Sequence, residues 1–277
     1  MLLSTGILLI AWLVFAQLAM KFRVADNEAK RKFSANGVAL FTETIEADGI
    51  RLHYAKTGND TLQTLFFVHG SPGSWMKFGK YLQDKDLLEN FRIVSVDRPG
   101  FGYSQFGNVR SLQEQSRLIS LLLSRLQNGK PFYAIGHSYG GPMIVNLAVD
   151  NPGTFSGLVL LASALDPAAE KAEKWRPVLF KTPLNLLVPG AWRPSNKELW
   201  YLKEELKTLA PGFSTITCPV FILHGDQDGL VPVSNAAYAK KLLVNAKSVT
   251  VTIIPGANHF ISDNNYELVK KTLMGLY

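Results

Sequence analysis

The 277 residues carry 29 lysines and arginines against 22 acids, a formal net charge of +7, and 47% of them are hydrophobic. A chain of this length and composition buries one large core with room for an insertion, which excludes a disordered or fibrous protein. Its basic residues stand in short separate clusters (Lys30-Arg31-Lys32, Lys240-Lys241, Lys270-Lys271) without interleaved aromatics, so nucleic acid is not an expected partner, and the lone Cys218 excludes an internal disulfide framework.

Residues 1–20, MLLSTGILLIAWLVFAQLAM, contain no charge. As a helix they would reach about 30 Å, the thickness of a hydrocarbon core. No basic residue precedes the apolar run, whereas Lys21, Arg23, Lys30, Arg31 and Lys32 follow it, where positive charge resists translocation. The expectation is an uncleaved transmembrane anchor and a membrane-associated chain. Ala16 and Ala19 approximate a cleavage site, so a secreted or periplasmic chain after signal cleavage is the alternative. A polar linker is expected over residues 21–39.

From residue 40 the chain alternates strand-like and helix-like segments. Residues 40–58 read as two short antiparallel strands turning at Asp48-Gly49. TLFFVHG (64–70) is a continuous apolar run ending in glycine, and RIVSVDRPG (92–100), FYAIGHS (132–138), LVLLAS (158–163), VFILHG (220–225) and VTVTIIPG (249–256) repeat the pattern. Such runs belong to strands covered on both faces, hence to a largely parallel sheet. Ser111-Leu112-Gln113-Glu114 has the capping-box pattern and opens an amphipathic helix through Leu126, while 139–149 and 264–276 give two more helices. The class is α/β, a sheet wrapped on both sides.

Between 164 and 217 no strand signal occurs, and three of the chain's five tryptophans fall there, Trp175, Trp192 and Trp200. A helical cap over an apolar pocket is expected, with Trp75 as a further candidate wall. The chain thus divides into a core segment over 40–163, an insertion over 164–217 and a second core segment over 218–277.

The stretch AIGHSYGG (134–141) places Ser138 between an apolar strand and a helix, with Gly136 and Gly140 two residues to either side. Glycines at those positions allow a sharp strand-to-helix bend that lifts a nucleophilic hydroxyl clear of the sheet. A serine nucleophile needs a base, and the base an orienting acid. Of the five histidines, His259 lies in a loop after the last strand, in PGANHF, and is the expected general base. His53, His69, His137 and His224 read as structural. In HGDQDGLVP, Asp228 stands farther into the loop than Asp226 and is the favoured acid, Asp226 and Asp166 being the alternatives. The chain order Ser138, Asp228, His259 is the one expected for a nucleophile on such a bend. An oxyanion needs two main-chain N–H donors. Tyr139 would supply one and Ser71, in HGSPGSW, the other, since Pro72 cannot donate.

FVHGSPGSW, DRPGFGYS (97–104), GHSYGG, HGDQDGLVP and GANHF follow one another along the chain. Through them the chain resembles the α/β-hydrolase fold superfamily, in its serine-nucleophile, esterase- and lipase-like branch, from about Leu40 to the C-terminus. The resemblance implies a mostly parallel central sheet flanked by helices, with a helical cap inserted between the sixth and seventh strands. It implies Ser138, Asp228 and His259 as the triad, Ser71 and Tyr139 as the oxyanion pair, and a structural turn from Asp97 to Ser104. Relatives with aspartate in place of Ser138 open epoxides or carbon–halogen bonds, so those reactions are not expected here. The expected function is a serine hydrolase cleaving carboxylic esters of apolar acyl or aromatic character, with a small-molecule substrate and no metal or organic cofactor. A C–C bond hydrolase, thioesterase or acyltransferase on the same residues is one alternative. A membrane-tethered ligand-binding protein without turnover is another.

Overall fold

The computed structural model describes residues 2–171 and 173–277. Its strands are β1 (Phe41–Ala47), β2 (Ile50–Thr57), β3 (Gln63–Val68), β4 (Phe91–Val96), β5 (Phe132–His137), β6 (Gly157–Leu161), β7 (Val220–Gly225) and β8 (Val249–Ile254). They form one sheet in the order β1-β2-β4-β3-β5-β6-β7-β8. Only the pairs β1/β2 and β2/β4 are antiparallel among the described residues; from β4 to β8 every pair is parallel. The main helices are α1 (Leu2–Leu18), α2 (Asp26–Ala35), α3 (Leu112–Leu126), α4 (Gly140–Asp150), α5 (Trp175–Phe180), α6 (Trp192–Leu209), α7 (Ser234–Leu242) and α8 (Tyr266–Met274). The expected α/β class, with a mostly parallel sheet between helices and a helical insertion, is what the chain adopts.

The continuous apolar runs follow from this arrangement. Side chains alternate between the two faces of a strand, so a strand covered on both sides needs apolar residues at every position. Phe66, Val68, Ala134, Leu158, Leu160 and Ile222 enter one core, beside α3, α4 and α7. Leu65, Phe67, Ile135, Val159, Leu161 and Leu223 enter the other, beside α2 and α8. The Ser111 hydroxyl caps α3 by accepting the Glu114 N–H at 3.2 Å, and the helix begins at the next residue.

Two regions differ from expectation. Within the stretch read as a polar linker lies α2, with Asp26 and Glu28 in its first turn and Lys32 in its last, favourable at the two ends of the helix dipole. Ala29 and Phe33, one turn apart, are buried and seat it on the sheet.

The second correction concerns the N-terminus. Met1 lies outside the described residues, and α1 has 17 residues, about 25 Å of helix at 1.5 Å per residue. Among the described residues no helix is long and apolar enough to cross a membrane. The expected transmembrane anchor, the membrane partner and the membrane-based localisation are therefore withdrawn. The helix stops because Met20 and Phe22 take left-handed backbone, φ 55° and 52°. Its end is tied to the insertion between β6 and β7 instead. The Ala16 and Met20 carbonyls accept the Gly190 and Ala191 N–H groups at 2.9 Å each, and the Trp12 Nε1–H and the Gln17 amide donate to the Leu187 and Leu186 carbonyls at 3.0 Å.

Candidate active site

Parallel strands present their C-terminal ends along one edge of the sheet, where α/β proteins build their sites. The residues singled out in the sequence follow four of these ends: Ser71 after β3, Ser138 after β5, Asp228 after β7 and His259 after β8.

Ser138 adopts a left-handed backbone, φ 55°, which a non-glycine residue accepts only where its surroundings enforce it. They do so on both sides. Ser138 N–H donates to Leu161 O at 3.0 Å and its carbonyl accepts Gly141 N–H at 2.9 Å, so the bend is bonded to β6 and to α4. A Cβ on Gly136 would drive into the Gly140 carbonyl, and one on Gly140 into the Val68 carbonyl. The two glycines are thus a packing requirement of the turn. The loop after β3 lies directly against it, since a Cβ on Gly70 would come within 2.9 Å of the Ser138 Cβ. Ser138 itself is half-buried, and its hydroxyl makes no hydrogen bond among the described residues.

Asp228 and His259 meet directly. Asp228 Oδ2 lies 2.7 Å from His259 Nδ1 and 3.3 Å from His224 Nε2, while Oδ1 accepts the Leu230 and Val231 N–H groups at 2.9 and 2.8 Å. Burial alone would raise this carboxyl, but hydrogen bonds from His224, His259 and the Val231 main chain outweigh it and hold the group well below the usual carboxylate range. An ionised partner at Nδ1 favours the proton there and leaves the lone pair on Nε2, the form a general base needs. Asp226 faces solvent and accepts the Gly256 N–H at 2.7 Å, and Asp166 accepts the Ala168 N–H at 2.8 Å. Neither is hydrogen-bonded to His259 among the described residues.

The Ser138 bend reaches His259 through its own neighbour. His137 Nε2–H donates to the His259 carbonyl at 3.0 Å, with ring centroids 4.9 Å apart. Burial, then the adjacent His259, push the His137 ring down to about 3, so it stays neutral and structural. His69 bridges the Gly70 carbonyl and the Arg98 N–H, and His53 pairs with the Thr44 hydroxyl. The main-chain N–H groups of Ser71 and Tyr139 donate to no protein acceptor among the described residues. The turn from Asp97 is structural: Asp97 accepts the Trp75 and Tyr103 N–H groups at 2.7 and 2.8 Å, and burial lifts its carboxyl to about 7.

Beneath the β3 loop lies a buried ion pair that the sequence did not reveal. Arg98 and Glu198 are both fully inside and pair through two hydrogen bonds of 2.8 Å. The same guanidinium donates to the carbonyls of His69 (2.9 Å) and Gly70 (3.0 Å) and to the Gln115 side chain (2.9 Å), between the rings of Phe101 and Tyr139. Ser195, one turn before Leu199 on α6, accepts a hydrogen bond from the Ser71 hydroxyl at 2.8 Å. Glu198 and Ser195 had no local signal. Each is an ordinary polar residue in an amphipathic helix, and only tertiary packing brings it to the rim.

The four tryptophans expected around the pocket have different environments. Trp75 is 1% exposed and packs inside against Phe33. Trp175 and Trp192 are 48% and 44% exposed, and Trp200 is half-buried. Among the described residues no group of three or more His, Cys, Asp or Glu side chains is assembled to hold a metal ion.

Comparison with known proteins agrees with this architecture. The family model for the alpha/beta hydrolase fold matches residues 63–186, from β3 through the Ser138 bend into the insertion. The uncharacterized hydrolase YugF of Bacillus subtilis (strain 168) is 33% identical over 119 residues, covering 42% of each chain. Monoglyceride lipase of Homo sapiens is 23% identical over 256 residues, covering 78% of this chain and 82% of that one. The match thus spans under half of YugF but most of the lipase. Cfl2 of Burkholderia cenocepacia superposes with a TM-score of 0.69 at 21% identity, over 86% of this chain and 96% of that structure. Sheet order, the position of the insertion and the matched segment coincide, and the chain adopts the α/β-hydrolase fold.

Proposed function

We propose that the chain is a serine hydrolase that cleaves carboxylic esters with an apolar acyl part. The observation that supports this most is the conjunction of Ser138 on an enforced left-handed bend with an ionised Asp228 holding the Nδ1 proton of His259. His259 Nε2 takes the Ser138 hydroxyl proton as Oγ attacks the ester carbonyl. The N–H groups of Ser71 and Tyr139 receive the oxyanion. The tetrahedral intermediate collapses, the alcohol leaves with the proton returned from His259, and an acyl-serine ester forms. Water, deprotonated by His259, then attacks that ester, releasing the carboxylic acid and restoring the Ser138 hydroxyl. In apo hydrolases the contact between nucleophile and base is often long and tightens with substrate, consistent with the unbonded Ser138 hydroxyl. Monoglyceride lipase among the relatives supports an apolar acyl substrate.

A fluorophosphonate probe with a panel of acyl esters and thioesters tests this. The wild-type chain should be labelled at Ser138 and turn esters over. Ser138→Ala should lose labelling and at least about 10³-fold of the rate while keeping its fold. Asp228→Asn should lose about 10⁴-fold, as removal of the orienting acid does in serine proteases, and Asp226→Asn far less. Folded wild-type protein that neither labels nor hydrolyses any ester would refute the proposal.

A further inference from the structure

The end of α1 with the turn after it, the loop 105–110, and the start of the α6 helix with Phe180 and Asn185 of the insertion enclose a cavity of about 550 Å³. None of Ser71, Ser138, Asp228 or His259 lines it. The volume falls among small-molecule sites, about 300–1,000 Å³. Its walls divide by chemistry. Leu18, Phe106 and Phe180 are apolar, whereas Lys21, Arg193 and Lys197 are cationic, and among the described residues no Asp or Glu lines it.

Among the described residues none of Lys21, Arg193 and Lys197 forms an ion pair with a carboxylate. Arg193 donates through Nη1 to the Gln17 amide oxygen at 2.6 Å, an uncharged partner, and its buried Nε meets no acceptor. Burial lowers its pKa with no carboxylate to offset it. Lys21 sits 5.5 Å above the Phe106 ring, with the Arg23 guanidinium over the same ring at 4.9 Å. Burial, then the charges of Arg23 and Arg193, hold the Lys21 pKa down. A partly desolvated cation held among like charges is costly unless an anion offsets it.

We infer that this cavity binds an amphiphilic anion, a carboxylate or phosphate monoester on an apolar body. The oxyanion offsets the repulsion of Lys21 with Arg23 and Arg193 and gives Lys197 a countercharge that the described lining does not supply. The apolar body covers Leu18, Phe106 and Phe180. A neutral amphiphile would cover the apolar wall and leave the cationic one uncompensated.

Calorimetric titration of the full chain with monomeric octanoate, octyl phosphate and octan-1-ol tests the inference. Both anions should bind at least about tenfold more tightly than the alcohol, a comparison that needs no variant. Lys21→Gln with Lys197→Gln should weaken anion binding at least about tenfold while ester turnover is kept, and Ser138→Ala should bind octanoate as the wild type does. Equal binding of alcohol and anions, or full anion affinity in the lysine double variant, would overturn it. So would loss of octanoate binding after phosphonate labelling of Ser138, which would place the anion in the catalytic cleft. The comparison of alcohol with anions and the anion affinity of the lysine double variant do not depend on whether Ser138 turns over an ester.

Discussion

The two ends of the insertion are built on opposite principles. Its inner helix, α6, faces the rim with polar side chains, the buried Ser195 against Ser71 and Glu198 against Arg98, and the half-buried Glu205 accepting from the Leu112 N–H at 3.1 Å and the Tyr139 hydroxyl at 3.2 Å. Leu202, Leu206 and Leu209 seat the same helix in the core. The outer part, α5 with the short turn Pro183–Leu187, has no buried residue, and Trp175, Val178, Leu184 and Leu186 are exposed. The outer part is held by α1, through hydrogen bonds to the Leu186 and Leu187 carbonyls, and by α6, where Arg176 Nη1 donates to the Asn196 side chain at 2.7 Å and Phe180 lies beside Tyr201. Directional buried bonds specify one geometry, whereas a thin apolar contact permits several. The inner end therefore fixes the rim, and the outer end is the part free to yield.

Breaking the inner end should have the largest effect. Glu198→Ala leaves the Arg98 charge buried and unpaired, which costs about 3–5 kcal/mol. Urea unfolding measures it, and a loss below about 1 kcal/mol would mean that α6 is no more firmly rooted than the outer turn. Arg98→Met combined with Glu198→Leu should recover most of that loss, because the penalty lies in the unpaired charge. Ester turnover in the double variant should stay impaired, since the grip on the His69 and Gly70 carbonyls is gone.

Glu205 supplies a pH signature of the same end. Burial raises its pKa from 4.5 to about 6. The folded state therefore keeps a proton that the unfolded chain has released, so this contribution to stability is full below pH 4.5 and is lost as pH rises through about 6. Its size is on the order of 2 kcal/mol. Glu205→Gln should remove that slope, and an unchanged stability profile between pH 4.5 and 6 would show that the residue is solvated and the contact with Tyr139 open.

This contrast also marks what the sequence made legible. Strand runs and the glycine-flanked bend are local patterns, each fixed by requirements within a few residues. The Gly136 and Gly140 clashes are such requirements, written where they act. Arg98 and Glu198 stand a hundred positions apart, and neither segment carries a sign of the other. The helix Asp26–Ala35 had a readable signal, acids first, lysine last, and Ala29 and Phe33 one turn apart, but its polar composition masked it. The N-terminal stretch was misread for a different reason. Absence of charge over twenty residues satisfies the length rule for a span, yet it equally describes a helix whose end lies against another apolar surface, and Ala16, fully buried where α1 meets the insertion, is that case.

Smaller substitutions sharpen the boundary between the two ends. Ser195→Ala removes the acceptor of the Ser71 hydroxyl and should cost about 1 kcal/mol. It should also lower kcat more than it raises KM, since it loosens the loop carrying the Ser71 N–H. A change confined to KM would place Ser195 on substrate instead.

At the outer end the expected effect is smallest and most local. Trp12→Phe keeps an aromatic ring beside Phe15 but removes the Nε1–H that bonds the Leu187 carbonyl. Global stability should change by no more than about 0.5 kcal/mol, because the bond is exposed and the segment buries little. Hydrogen exchange should nevertheless quicken over residues 183–188, since that turn has few other attachments, while the α6 amides keep wild-type rates. If the α6 amides quicken equally, the insertion opens as one unit, and buried bonds at its root do not isolate the rim from motion outside it.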